Sequence, residues 1–215
     1  MSKARSYKQA CNIALALDLI GERWTLLIIR ELILGPKRFG DLLPHLQGMG
    51  TNLLTTRLKE LETHAVIEKQ PCSPNSRRMQ YKLTPLGEGL ENVLRELIRW
   101  GIQLPQSPPS PDSLYQPEWD LVAIKLLYKR EKAPKLEGTV LIKSVESSIY
   151  AIIAKDGLQL DISTTHTHDA TIEGNRDSFE KLFKGKSSLN QLISQNSLKI
   201  SGNTSLARKW ASCFS

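Results

Sequence analysis

The chain of 215 residues has room for one large domain or two of about 100 residues each. With 40% hydrophobic and 24% charged residues it is composed like an ordinary globular protein, which excludes wholesale disorder. Its 29 Lys and Arg against 22 Asp and Glu give a formal charge of +7, a surplus that suits a polyanionic partner without requiring one.

In chain order, Trp24, Leu27, Ile28 and Leu32 recur at helical spacing, and Gly35-Pro36 stops that helix. FGDLLPHL predicts a short helix and QGMG a turn. A longer helix is predicted from Thr51 to about His64, with Leu54, Leu58 and Leu61 on one face. VIEKQ and RMQYKL read as two short strands joined by PCSPNSR. Thr84 then caps a helix with Pro85 at its first position, whose apolar face (Leu86, Leu90, Val93, Leu94, Leu97) runs towards Trp100. Four prolines among residues 105–111 mark a linker, since proline cannot extend a helix. Residues 1–105 hold 15 Lys and Arg against 10 Asp and Glu, so most of the basic excess precedes it.

Behind the linker a helix, PEWDLVAIKLLYKR, leads into strands TVLIKSV, SIYAIIA and LQLDIS, with Lys155-Asp156-Gly157 as a hairpin turn in which Asp-Gly supplies positive φ. A strand DATIEG, helices DSFEKLF and LNQLI, a strand LKISG and a closing helix complete an α+β half. The expected domains are 1–104, a linker at 105–114, and 115–215.

Helix, turn, helix and hairpin is the order of a winged helix-turn-helix, in which the second helix enters the major groove and the hairpin tip lies along the backbone or minor groove. Thr51, Asn52, Thr55, Thr56 and Lys59 are short polar or cationic groups able to reach bases and phosphates. Arg77 and Arg78 beside the hairpin turn, and Lys37 and Arg38 before the short helix, add candidate phosphate contacts. The same residues also suit an ordinary solvated surface, and Thr and Asn at a helix start are good caps.

The motifs LDLIGERW (Leu17 to Trp24), GPKRFGDL (Gly35 to Leu42), LTTRLKEL (Leu54 to Leu61) and YKLTPLG (Tyr81 to Gly87) occur in the order found in the HxlR-type regulators, a bacterial winged-helix group related to the MarR regulators, and residues 8–105 resemble that family. Glu22-Arg23 stands where the family often has Gly-Lys, and Gly50 where a branched apolar residue is common. The resemblance implies a homodimer on double-stranded DNA, reading a palindromic operator through the helix from Thr51 and the hairpin. It also marks Cys11, just before the first helix, as a position where some members sense oxidants; a buried interface cysteine is the alternative. The second half is similar to the sterol carrier protein-like fold. That likeness implies a helix-covered sheet and a pocket for an apolar small molecule, with Ile152, Leu158, Leu160, Ile162, Phe179, Leu182, Phe183, Leu192 and Trp210 either lining it or filling an ordinary core.

The fold expectation is therefore a mainly α winged helix-turn-helix domain followed by an α+β sterol carrier-like domain. The expected function is a transcriptional regulator, modulated by an apolar ligand or by thiol modification. The competing reading is a lipid-binding carrier whose basic half docks on anionic surfaces. No enzyme is expected, because GxGxxG, Walker and GxSxG motifs and a nucleophile–base constellation are missing from the sequence. No cofactor is expected. His166 and His168 could join Asp169 around a metal, but further ligands are wanting, so none is expected. Three widely spaced cysteines (Cys11, Cys72, Cys213) argue against a disulfide framework and for a reducing, cytoplasmic setting. The apolar runs IALALDLI and WTLLIIRELIL are broken by Asp18 and by Arg30 with Glu31, and both fall short of the roughly 20 residues of a membrane span.

Overall fold

The computed structural model describes residues 6–104 and 113–214, so most of the expected linker (residues 105–112) lies outside the described residues. The chain forms two compact units, divided between Glu96 and Leu97.

The first unit begins with α1 (Asn12–Ile20) and α2 (Thr25–Leu32), joined by a turn in which Trp24 takes the left-handed conformation at φ 80°. Gly35, at φ 130°, ends the chain's run out of α2 in a conformation that side-chain-bearing residues avoid. α3 (Phe39–Leu42) continues into a 3-10 turn over Leu43–His45, and α4 follows (Thr51–Thr63). Leu54, Leu58 and Leu61 of α4 are buried, as are Ile28 and Ile29 of α2, Leu42 and Leu46. β1 (Ile67–Pro71) and β2 (Met79–Leu83) pair antiparallel, with Ile67 opposite Leu83 and Lys69 opposite Tyr81. Lys37 adds a single-residue third strand: its N–H donates to the Tyr81 carbonyl at 3.0 Å, and the Tyr81 N–H to its carbonyl at 2.8 Å.

The helix expected from Pro85 to Trp100 is two helices, α5 (Pro85–Glu88) and α6 (Leu90–Gly101), parted at Gly89. Thr84 caps α5 by accepting from the Gly87 N–H at 3.2 Å and donating to the Ala65 carbonyl at 2.5 Å. A β-carbon on Gly87 would sit 2.1 Å from the Val66 carbonyl oxygen. The closing glycine of YKLTPLG is thus fixed by the approach of α5 to the backbone entering β1.

The second unit opens with α7 (Pro117–Leu127) and builds a five-stranded sheet from β3 (Gly138–Lys143), β4 (Ser148–Ala154), β5 (Gly157–Asp161), β6 (Ala170–Gly174) and β7 (Leu198–Gly202). The strand order is β5-β4-β3-β6-β7, antiparallel except for the β3–β6 pair. α8 (Arg176–Phe183), α9 (Leu189–Ser194) and α10 (Thr204–Ser212) complete it. The β4–β5 hairpin differs from expectation by one residue. Ala154 pairs with Gly157, so Lys155 and Asp156 form the turn, and positive φ falls on Gly157 alone, at 148°. Alternate strand residues (Val140, Ile142, Ile149, Ala151, Ile153, Ala170, Ile172) are buried beside Trp210, Phe183 and Phe214, whose rings lie 4.9–5.8 Å apart.

Candidate nucleic-acid interface

α4 buries one side and presents the other. Asn52, Thr56, Lys59 and Thr63 follow one another at helical spacing opposite the Leu54–Leu58–Leu61 side, with Thr51 and Thr55 beside them, and all six are exposed. Three of the four threonine hydroxyls are turned back onto the helix, however. Thr55 donates to the Thr51 carbonyl at 2.9 Å, Thr56 to the Asn52 carbonyl at 3.0 Å, and Thr63 to the Lys59 carbonyl at 2.8 Å. The N-cap, Gly50, takes extended backbone and offers no side-chain cap, which leaves the first amides of α4 open to an anion.

The hairpin tip between β1 and β2 is held by its own backbone. The Ser76 N–H donates to the Ser73 carbonyl at 2.9 Å, and the Cys72 N–H to the Arg78 carbonyl at 2.9 Å. Arg77 and Arg78 are exposed there, and neither they nor Lys59 has an ion pair among the described residues. These three cations have the freedom that a phosphate contact requires.

Lys37 and Arg38 are placed differently. Lys37 Nζ lies 3.0 Å from Glu31 Oε2, and Arg38 grips Asp41 through two contacts of 2.9 Å. Glu31, which the sequence reading took only as an interruption of an apolar run, is the hub of a buried ionic cluster. It is 2% exposed, with His45 Nδ1 at 2.6 Å and Arg30 Nη2 at 2.7 Å besides Lys37. Burial pushes its carboxyl pKa up, but the hydrogen bonds to His45 and Lys37 and the charge of Arg30 outweigh it, and the net shift is downward. The cluster joins α2, the segment before α3 and the 3-10 turn. A second missed residue is Arg57, the one arginine of α4, whose two terminal nitrogens lie 2.6 Å from Glu22 and 2.6 Å from Glu60.

Cys11 is exposed at the N-cap of α1, where the amides of Ala14 and Ile13 hold its thiol pKa below the ordinary value. Cys72 is half-buried. Cys213 is buried, and desolvation pushes its thiol up.

The second unit holds a cavity of about 140 Å³ between α7, α8 and strands β3 and β4. Ala123, Leu127, Ile142, Ile149, Phe179 and Phe183 supply apolar lining; Asp120, Arg176, Glu180 and Lys184 supply charge. Of the residues expected to line a pocket, Phe179 and Phe183 line this cavity, and Leu182 borders a separate one beside α9 and α10. Ile152 alternates to the sheet face opposite Ile149 and, with Leu158, borders a shallow depression at the β4–β5 turn. Leu160 is half-buried opposite Ala151, and Trp210 is fully enclosed among rings. Burial keeps the Asp120 carboxyl pKa raised; the Tyr115 hydroxyl donates to it at 2.6 Å, and the Arg176 guanidinium lies 3.8 Å from the Tyr115 ring centroid. His166 is held by Asp161, with Nε2 2.6 Å from Oδ2. Among the described residues no three His, Cys, Asp or Glu side chains gather as a metal site. Among the described residues no helix is long and apolar enough to cross a membrane.

Residues 19–107 match the HxlR-like helix-turn-helix family, and residues 123–215 match the SCP-2 sterol transfer family. The HTH-type transcriptional regulator YodB of Bacillus subtilis is 36% identical over 88 residues, covering 41% of this chain and 79% of that protein. An HTH-type transcriptional regulator of Synechocystis is 37% identical over 91 residues, or 42% of this chain and 67% of that one. One from Mycobacterium tuberculosis is 38% identical over 101 residues, and this chain covers 46% of itself and 63% of that relative's length in the match. The solved quinone-bound YodB aligns over 45% of this chain and 100% of its own, at 33% identity and a TM-score of 0.39.

Proposed function

Because this chain belongs to the HxlR-like helix-turn-helix family, we propose that it is a sequence-specific transcriptional regulator that binds double-stranded DNA as a homodimer. The observation that carries this reading is the exposed side of α4, with Asn52 and Lys59 outward, together with a hairpin tip that carries Arg77 and Arg78, exposed and without ion pairs among the described residues. Thr51, Asn52, Thr55 and Thr56 face the groove, Lys59 binds phosphate, and the two arginines bind phosphate or minor groove. Lys37 and Arg38 contribute indirectly, by fixing the segment ahead of α4.

One such helix reads only a few base pairs, so specific affinity calls for two half-sites. Apolar side chains left outward supply a surface for pairing. Ile13 and Leu15 of α1 are 72% and 59% exposed. Modification of Cys11, or an apolar small molecule in the α7–α8 cavity, shifts the spacing of the two recognition helices and releases the operator. The site of action is the cytoplasm. No step of this function needs a cofactor or a catalytic residue.

Selection from a randomised duplex library at physiological salt tests the reading. It should enrich an inverted repeat whose half-site centres lie about 10 base pairs, or a multiple, apart. Absence of any enriched sequence would overturn it and favour the carrier reading, to which the cavity would then give the function.

A further inference from the structure

We infer that the half-site is biased towards A·T pairs, read through thymine methyl groups by Thr55 and Thr56 and through adenine by Asn52. The inference rests on the regulator reading above and adds the class of sequence that the dimer would select.

The argument is one of which groups α4 leaves available. A threonine on a helix either offers a groove its hydroxyl, a donor and acceptor indifferent to the base it meets, or turns it back onto the carbonyl four residues earlier. Here the Thr55 and Thr56 hydroxyls are turned back onto the carbonyls of Thr51 and Asn52. The group left to face outward from each exposed residue is the methyl, and thymine is the base that presents a methyl to the major groove. Asn52 lies one turn before Thr56 on the same stripe, and its side-chain amide matches the paired acceptor and donor of adenine.

Guanine, in contrast, is read chiefly by a bidentate arginine. The single arginine of α4 is withdrawn from that use. Arg57 flanks the buried side at 14% side-chain exposure, with one terminal nitrogen on Glu22 and the other on Glu60. Lys59 remains, a flexible point charge suited to phosphate. The hairpin adds an independent argument. Arg77 and Arg78 are exposed at its tip without ion pairs among the described residues, and A·T tracts have the narrow, strongly negative minor groove that attracts such side chains.

The test uses the full-length chain and proceeds from the selected operator. Each thymine of a half-site is replaced in turn by deoxyuridine, which removes only the methyl, and affinity is measured for the native chain, Thr55→Ser and Thr56→Ser. Serine keeps the hydroxyl and its bond to the helix. The expected motif is rich in A·T within the half-sites. One or two deoxyuridine positions should each weaken binding about fourfold, the worth of one buried methyl. The matching serine variant should lose the same factor on the thymine duplex and nothing further on the deoxyuridine duplex. Asn52→Ala should relax preference at one adenine, whereas Lys59→Ala should weaken all sequences alike. G·C-rich half-sites, or serine variants that lose equally on both duplexes, would overturn the inference and leave the regulator reading standing. A selection that enriches nothing would remove both.

Discussion

Glu31 shows how a single residue can carry an element of the fold. A carboxylate 2% exposed is tolerable only because His45, Lys37 and Arg30 surround it. Replacement by alanine leaves those cations facing a void, and we expect a loss of about 3–5 kcal/mol in urea unfolding of the first unit. The sign of the pH effect follows from the downward shift. A carboxyl whose folded pKa lies below its ordinary value of 4.5 stabilises fully above that value, and the contribution disappears as pH falls through the folded pKa. Thermal unfolding of the native chain should therefore weaken below about pH 4.5 more steeply than that of Glu31→Gln; parallel curves would contradict the account. The hub was half-visible in the sequence as a charge inside WTLLIIRELIL. Its partners are not legible there, because His45 and Lys37 reach it only through the fold.

Cys11 differs from Cys213 in the opposite direction of its shift. Amides of Ala14 and Ile13 favour the Cys11 thiolate, while burial disfavours that of Cys213. Alkylation followed by mass spectrometry should label Cys11 first, with its rate rising at a pH below the ordinary thiol value of 9.0, and leave Cys213 unlabelled until the chain unfolds. Labelling of Cys213 at an equal rate would refute this.

At the scale of elements, the helices and strands were legible wherever apolar spacing and turn residues agreed. α4, with Leu54, Leu58 and Leu61, and the β1–β2 hairpin fall where predicted. What spacing could not show is tertiary approach. Apolar spacing predicts one helix from Pro85 to Trp100, yet Gly89 parts α5 from α6, and Gly87 is pressed against the Val66 carbonyl. Alanine at Gly87 would force a backbone shift, so we expect a lower urea midpoint, by about 1–3 kcal/mol, with an unchanged slope. A neutral substitution would mean that the α5–β1 approach is loose. Period-two alternation likewise identifies β4 as a strand but not which face its residues take, so the side on which Ile152 lies comes only from the structure.

At the scale of the molecule, the HxlR resemblance is legible because its motifs are dispersed in order along residues 8–105, whereas the sterol carrier likeness rests on short, common strand and helix patterns; both family matches agree. The exposed apolar residues of α1, Ile13 and Leu15, are the ones a pairing surface would use. Light scattering should find a dimer for the native chain and a monomer for Ile13→Glu combined with Leu15→Glu; a monomeric native chain would remove the two-half-site mechanism.

The most direct measurement is a fluorescence-anisotropy titration of the duplex lying upstream of the chain's own coding sequence, set against a scrambled duplex at physiological salt. A specific regulator binds the native duplex at least ~10³-fold more tightly than the scrambled one, and loses that margin in Asn52→Ala combined with Arg77→Ala and Arg78→Ala. Equal, weak binding to both duplexes would contradict the account, and would leave the first unit as a basic surface with no reading function.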